Sequence, residues 1–218
     1  MQHTFWLDRW ELNQIGFHNS EVNQHLQQNW DLLTLKPNSK VFVPFCGKSL
    51  DLLWLRQRNH QVIGVELSAI AAEAFFAENG LSYTVEKKGE FDVFETDGIQ
   101  IYCGDFFKLP SDILGDVKAV YDRASLVALP SEMRMEYTEK MSQLLPVNSQ
   151  ILLISFNYAQ HEMQGPPFSV SDLEIIELFD KWCDRRFLYS EDISNKELHF
   201  RQRGVTRIFE AVHILTVR

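Results

Sequence analysis

Paired cysteines, runs of basic charge and long apolar stretches are all missing from this chain. Its cysteines, Cys46, Cys103 and Cys183, are odd in number and show no CxxC spacing, so neither a disulfide framework nor a zinc site is supported and a reducing cytoplasm suits them. No arginine-rich or lysine-rich run interrupts a formal charge of −9, which disfavours a polyanion-binding surface and removes nucleic acid from the expected partners. No stretch reaches the roughly 18 apolar residues of a membrane span, and MQHTFWLDRWELNQ has no apolar core of signal-peptide length, so a soluble, unexported protein with no membrane partner is expected. The histidines show no HExxH or comparable spacing, and no metal is expected. No large exposed apolar helix face is evident, which favours a monomer.

What is present is an apolar content of 45% over 218 residues, enough for one domain with a sizeable core and tight for two. A single domain, 1–218, is expected. The densest signal is Lys40 to Ser68, KVFVPFCGKSLDLLWLRQRNHQVIGVELS. Val41, Phe42, Val43 and Phe45 form a buried-strand run, and Gly47 breaks it. Leu50, Leu53 and Trp54 recur at helical spacing as one apolar face. Val62 to Val65 make a second strand, closed by Glu66, which stands 19 residues beyond Gly47. A carboxylate about 20 residues past the turn is where doubly wound folds hold ribose hydroxyls. Pro44-Phe45-Cys46-Gly47-Lys48 supplies one glycine where a pyrophosphate-binding turn wants three. A ligand with ribose and adenine but no phosphates, such as S-adenosylmethionine, tolerates that turn; an α/β unit with no nucleotide is the plainer alternative.

Downstream, helix and strand continue to alternate. Ser68 caps a helix through Ala72, Phe75 and Phe76 that stops at Gly80; Ile99 to Cys103 and Lys118 to Tyr121 are strands. Ser131 caps a helix carrying Met133, Tyr137, Met141 and Leu144, Ile151 to Phe156 is the most apolar strand, and Ser171 with Glu174 makes a capping box. Phe187 to Tyr189 and Val205 to Val217 are strands with no clear helix between them, hence an antiparallel closing pair. The expected fold is α/β: a doubly wound, mostly parallel seven-stranded sheet, five parallel strands and that pair, the plan of class I S-adenosylmethionine-dependent methyltransferases.

Ligands of such sheets sit beyond the carboxyl ends of the strands. There Glu66 suits a ribose, Asp105 an adenine amine, and Phe106 the ring face, although Asp105 is also a turn former beside Gly104 and Phe106 also a plausible core aromatic. Arg123 suits a carboxylate or an anionic acceptor, or else a plain ion pair with Asp122. Trp6 and Trp10, at i and i+4, read as an amphipathic helix packing both rings into the core. Cys46 at a helix start is better read as a small buried thiol than as a nucleophile.

The blocks Trp6-Leu7-Asp8-Arg9-Trp10 with Phe17-His18, VFVPFCGKSLDLLWL, VIGVELS, IYCGDFF, YDRASLVAL and GPPFSV resemble thiopurine S-methyltransferases in order and spacing, over nearly the whole chain. A WxxxW opening combined with PFCGK is specific to that family rather than to methyltransferases at large. The resemblance implies S-adenosylmethionine as donor and a sulfur on an aromatic or heterocyclic ring as acceptor, with selenium or tellurium species associated with bacterial relatives. By position it places cofactor contacts on Trp10, Phe45, Glu66, Asp105, Phe106 and Arg123, and acceptor contacts on Phe17 and Arg123. It makes 1–36 a helical lid over the site and assigns no side chain as a general base. Several members have leucine where this chain has Phe45, and Lys196 to Arg203 matches less closely, so no acceptor residue is carried over from there. Two other classes fit the half-fold: a nicotinamide-dependent oxidoreductase, disfavoured by the missing glycines, and a non-catalytic adenosine-binding module.

Overall fold

A computed structural model describes residues 3–218. The chain packs as two compact units, Met1–Tyr121 and Asp122–Arg218. The first contains α1 (His3–Glu11), α2 (Gln24–Asn29), β1 (Lys40–Val43), α3 (Asp51–Gln57), β2 (Gln61–Glu66), α4 (Ala69–Glu78), β3 (Thr84–Lys88), β4 (Phe91–Thr96), β5 (Ile99–Cys103) and nearly all of β6 (Val117–Asp122). Its strands lie in the order β3-β4-β5-β2-β1-β6. β1 pairs in parallel with β2 on one side and β6 on the other, and β2 pairs in parallel with β5, with Glu66 opposite Cys103. The chain therefore reverses its direction of travel across the sheet at β1, and in open sheets ligands sit beyond the carboxyl ends at such a point.

Local chemistry accounts for these elements. Ser68 caps α4 through its hydroxyl, which accepts from Ala71 N at 3.4 Å, and the helix ends ahead of Gly80 at φ +64. Close packing of β2 against the turn after β1 depends on Gly64, where a Cβ would stand 2.7 Å from Cys46 Sγ. Asp51, buried at the start of α3, accepts from Asn23 N at 2.8 Å and from Tyr121 Oη at 2.9 Å, tying the N-terminal segment to α3 and β6. Trp30 Nε1 donates to His60 Nε2 at 3.0 Å and makes a second tie.

The second unit contains α5 (Ser131–Leu144), β7 (Gln150–Tyr158), α6 (Asp172–Phe179), β8 (Cys183–Asp192), α7 (Leu198–Gln202) and β9 (Ile208–Val217). Its strand order is β7-β9-β8 with antiparallel pairs throughout. Ser171 accepts from Glu174 N at 3.2 Å, but the Glu174 carboxylate goes to the buried Arg134 rather than back to the cap, so only half of the capping box forms.

Three expectations are corrected. Nine strands, not seven, are present among the described residues, and their pairing is mixed rather than mostly parallel. The strands not expected are β3 and β4, a hairpin turning at Gly89 with φ +60; β3 is an edge strand of largely exposed, charged residues, so it carries no apolar run. A short α7 stands between the last two strands, although that pair is antiparallel as expected. In α3 the structure buries Leu52 and Leu55 rather than Leu50, Leu53 and Trp54, because nearly every position of SLDLLWL is apolar and spacing alone leaves the helix phase open.

On β9, His213 is fully buried between Leu153 of β7 and Phe187 of β8. Neither ring nitrogen has a hydrogen-bond partner among the described residues. Burial pushes the imidazole down to about 4, with Asp172 raising it and Arg185 lowering it to lesser extents. The folded ring stays neutral where the unfolded one protonates, so stability is full above about pH 6.5 and is lost as pH falls towards 4. Compared with His213→Leu, the native chain should lose about 3 kcal/mol more between pH 7 and pH 4 in urea unfolding. Parallel pH profiles for the two proteins would refute this account.

Candidate functional site

The carboxyl end of β2 places Glu66 under the turn that follows β1. Its Oε2 accepts from Gly47 N at 2.8 Å and its Oε1 from Ser68 N at 2.8 Å. The residue is 6% exposed. Burial pushes the carboxyl up from its ordinary range, and the N–H groups of Ser68, Gly47 and Leu67 pull it back. One side chain thus joins two loops. Gly47 sits at φ +52, and a Cβ there would lie 3.3 Å from the ring of Trp10, so glycine is required by both conformation and contact.

β5 runs beside β2, and Gly104 N donates to Glu66 O at 2.8 Å, which sets Asp105 in the adjoining strand-end turn. A Cβ on Gly104 would meet the Phe91 ring at 2.7 Å. Asp105 Oδ1 accepts from Phe107 N at 3.0 Å, while Oδ2 lies 3.7 Å from His3 Nε2. Phe106 is 2% exposed, its ring stacked on Phe42 at 6.4 Å and edge-on to Phe45 at 5.4 Å. Phe45 is the more accessible aromatic, on a strained backbone at φ +45.

α1 brings the N-terminal aromatics to the same turns. Trp10 is buried against Gly47, and Phe17 stands edge-on to both Trp10, at 5.6 Å, and Trp6, at 5.5 Å. Phe17 itself is 37% exposed. Of the two rings expected in the core, only Trp10 is buried; Trp6 is half-buried, and Phe17 beside them stays accessible. His3 beside Asp105 and the tie from Asp51 to Asn23 were not anticipated, since each joins residues far apart in sequence with no motif to announce it.

In the second unit, Arg123 follows Asp122 directly. It makes no ion pair with that neighbour; Asp122 instead accepts from Tyr137 Oη at 2.7 Å. Arg123 Nε is buried with no hydrogen-bond partner among the described residues. The Gly165 to Phe168 stretch is held rather than free: Tyr158 Oη donates to Pro167 O at 2.7 Å, Phe168 N donates to Val127 O at 2.7 Å, and the Arg203 guanidinium donates twice to Pro166 O.

Burial raises Cys46 well above its ordinary value and pushes Cys103 up to about 12, with Glu66 adding to both shifts. Neither supplies a thiolate near neutral pH. Among the described residues no cluster of His, Cys, Asp and Glu has the makings of a metal site, and no helix is long and apolar enough to cross a membrane.

A relative from Nitrosospira multiformis named thiopurine S-methyltransferase is 48% identical over 218 residues, covering 100% of this chain and 99% of its own. A like-named protein of Pseudomonas fluorescens is 44% identical over 100% of both chains. Among solved structures, a 1,6-didemethyltoxoflavin-N1-methyltransferase of Burkholderia thailandensis, with S-adenosylhomocysteine bound, matches with a TM-score of 0.67 at 11% identity, over 99% of this chain and 87% of that one. A methyltransferase of Methanosarcina mazei described as SAM-dependent matches at 0.63 and 13% identity, over 90% and 99%. At these identities the structures speak for the fold alone. The family model described as Thiopurine S-methyltransferase (TPMT) matches residues 1–218, and the chain belongs to that family.

Proposed function

We propose that this protein transfers the methyl group of S-adenosylmethionine to the sulfur of aromatic or heterocyclic thiols such as thiopurines, with selenium or tellurium species as further acceptors. The observation that carries the reading is the buried Glu66 carboxylate, bonded to Gly47 N beneath a turn with too few glycines for a pyrophosphate. That carboxylate fits a ribose, since a hydroxyl can donate to the acceptor capacity that the backbone N–H groups leave. Asp105 offers Oδ2 to an adenine amine, Phe45 and Trp10 border the same turn, and Phe106 supports Phe45 from below. Arg123, whose Nε has no hydrogen-bond partner among the described residues, suits the methionine carboxylate or an anionic acceptor.

The bound donor supplies a methyl carbon made electrophilic by its sulfonium. The chain contributes alignment and exclusion of water. An aromatic thiol ionises readily, so no general base is assigned, and the main demand is to hold the acceptor sulfur in line with the methyl group at near-attack distance. Phe17, accessible beside Trp10 on the segment 1–36, serves the acceptor side of this cover, and ring faces near a sulfonium add cation–π attraction. The reading takes the chain to be a single methyltransferase domain, monomeric and cytoplasmic, acting on a small molecule.

S-adenosylhomocysteine should raise the melting temperature and NAD should not, because only a ligand of the folded state stabilises it by mass action. A rise with NAD alone would support the oxidoreductase instead. Glu66→Gln should weaken S-adenosylhomocysteine binding by about 1 to 3 kcal/mol in titration calorimetry, the scale of charge-assisted hydrogen bonds, and unchanged affinity would remove Glu66 from the ribose. Phe17→Ala should raise KM for 6-mercaptopurine or thiophenol about fivefold or more while leaving donor affinity intact, the scale of burying one aromatic face. An equal loss on the donor side would mean that Phe17 packs the lid rather than meeting the acceptor.

A further inference from the structure

The 123–126 turn is built around a buried carboxylate. Asp122 is 1% exposed, and its Oδ1 accepts from Ser125 N and Leu126 N, each at 3.2 Å. Its Oδ2 accepts from Tyr137 Oη at 2.7 Å, and Tyr137, on α5, is fully buried. Between Asp122 and Ser125 the chain has little freedom, since both anchors are fixed to one carboxyl group. Arg123 lies between them. The buried Arg134 is satisfied by Leu129 O and Glu174, whereas Arg123 Nε is buried with no partner among the described residues. An unsatisfied buried donor on a cation calls for an explanation, and a site preorganised for an anion supplies one.

We propose that Tyr137 is a positioning residue for Arg123: its hydroxyl orients the Asp122 carboxylate, which holds the 123–126 turn in the shape that presents the guanidinium to a ligand carboxylate or thiolate. The inference rests on the anion-binding role given to Arg123 above. Removing the hydroxyl takes one side-chain donor from Asp122 and leaves it with the backbone N–H groups and the Ser125 side chain, all of them on the turn itself, so the carboxyl group is no longer anchored to α5 and the fraction of molecules with Arg123 in place falls.

The test is a double-mutant cycle of Tyr137→Phe and Arg123→Gln. It reads S-adenosylhomocysteine affinity by calorimetry, KM and kcat for thiophenol, and melting temperature. Arg123→Gln should weaken one ligand about tenfold or more, the donor product if Arg123 binds its carboxylate, the thiol if it binds the acceptor. Tyr137→Phe should weaken the same ligand about threefold to tenfold, and the double variant should be no weaker than Arg123→Gln alone. Asp122→Asn, which keeps the side-chain shape, should follow the pattern of Tyr137→Phe. If Tyr137→Phe lowers the melting temperature but changes neither ligand, or if its loss persists in full beside Arg123→Gln, the positioning role is overturned while Arg123 keeps its own. If Arg123→Gln changes neither ligand, both readings fall.

Discussion

The Glu66 carboxylate is the interaction on which the candidate site depends. It is buried, and it accepts one backbone N–H from the turn after β1 and one from the start of α4, which fixes these two loops to a common point. Burying an ionisable carboxyl is costly unless hydrogen bonds compensate, and here the compensating donors are the loops that form the site. The same feature allows a sparse-glycine turn to hold its shape, because Glu66 pins Gly47 from below while Trp10 covers it from the other side. Loop architecture and the proposed ribose contact thus fall on one group.

A second buried carboxylate repeats the device. Asp122, at the end of β6, caps the next turn and is itself held by Tyr137. Burial raises its carboxyl from the ordinary range, and the bonds from Tyr137, Leu126 and Ser125 pull it back. In each case an acid at a strand end accepts N–H groups of the chain just beyond it, Ser68 N for Glu66 and Ser125 N and Leu126 N for Asp122, and Glu66 adds Gly47 N from the turn before it. Asp51 does related work at the start of α3, joining the N-terminal segment to β6 through Asn23 and Tyr121.

Much of the first unit was legible in the sequence because its signals are local. The apolar runs of β1, β2, β5 and β6, the cap at Ser68 and the Gly47 to Glu66 spacing each declare themselves within a few residues or at a known separation. The β3–β4 hairpin was not legible, since an exposed charged edge strand has no buried face to pattern it. The phase of α3 was missed for the opposite reason, an excess of apolar residues. Phe106 illustrates a limit within the site: its position at a strand end was readable, but its burial among Phe42, Phe45 and Phe107 depends on neighbours brought in by other strands.

Taken by itself, the sequence determined the α/β class, the turn with its distant acid and the family, because these are carried by periodicity, spacing and residue blocks along one chain. Only the tertiary structure decided which polar groups are buried and what they bond. Glu66 meeting Gly47 N, 19 positions away, Tyr137 holding Asp122, 15 positions away, and the Arg123 Nε buried without a hydrogen-bond partner among the described residues are products of packing. A hydrogen bond of that kind leaves no trace in local composition, so it appears only when the chain is folded.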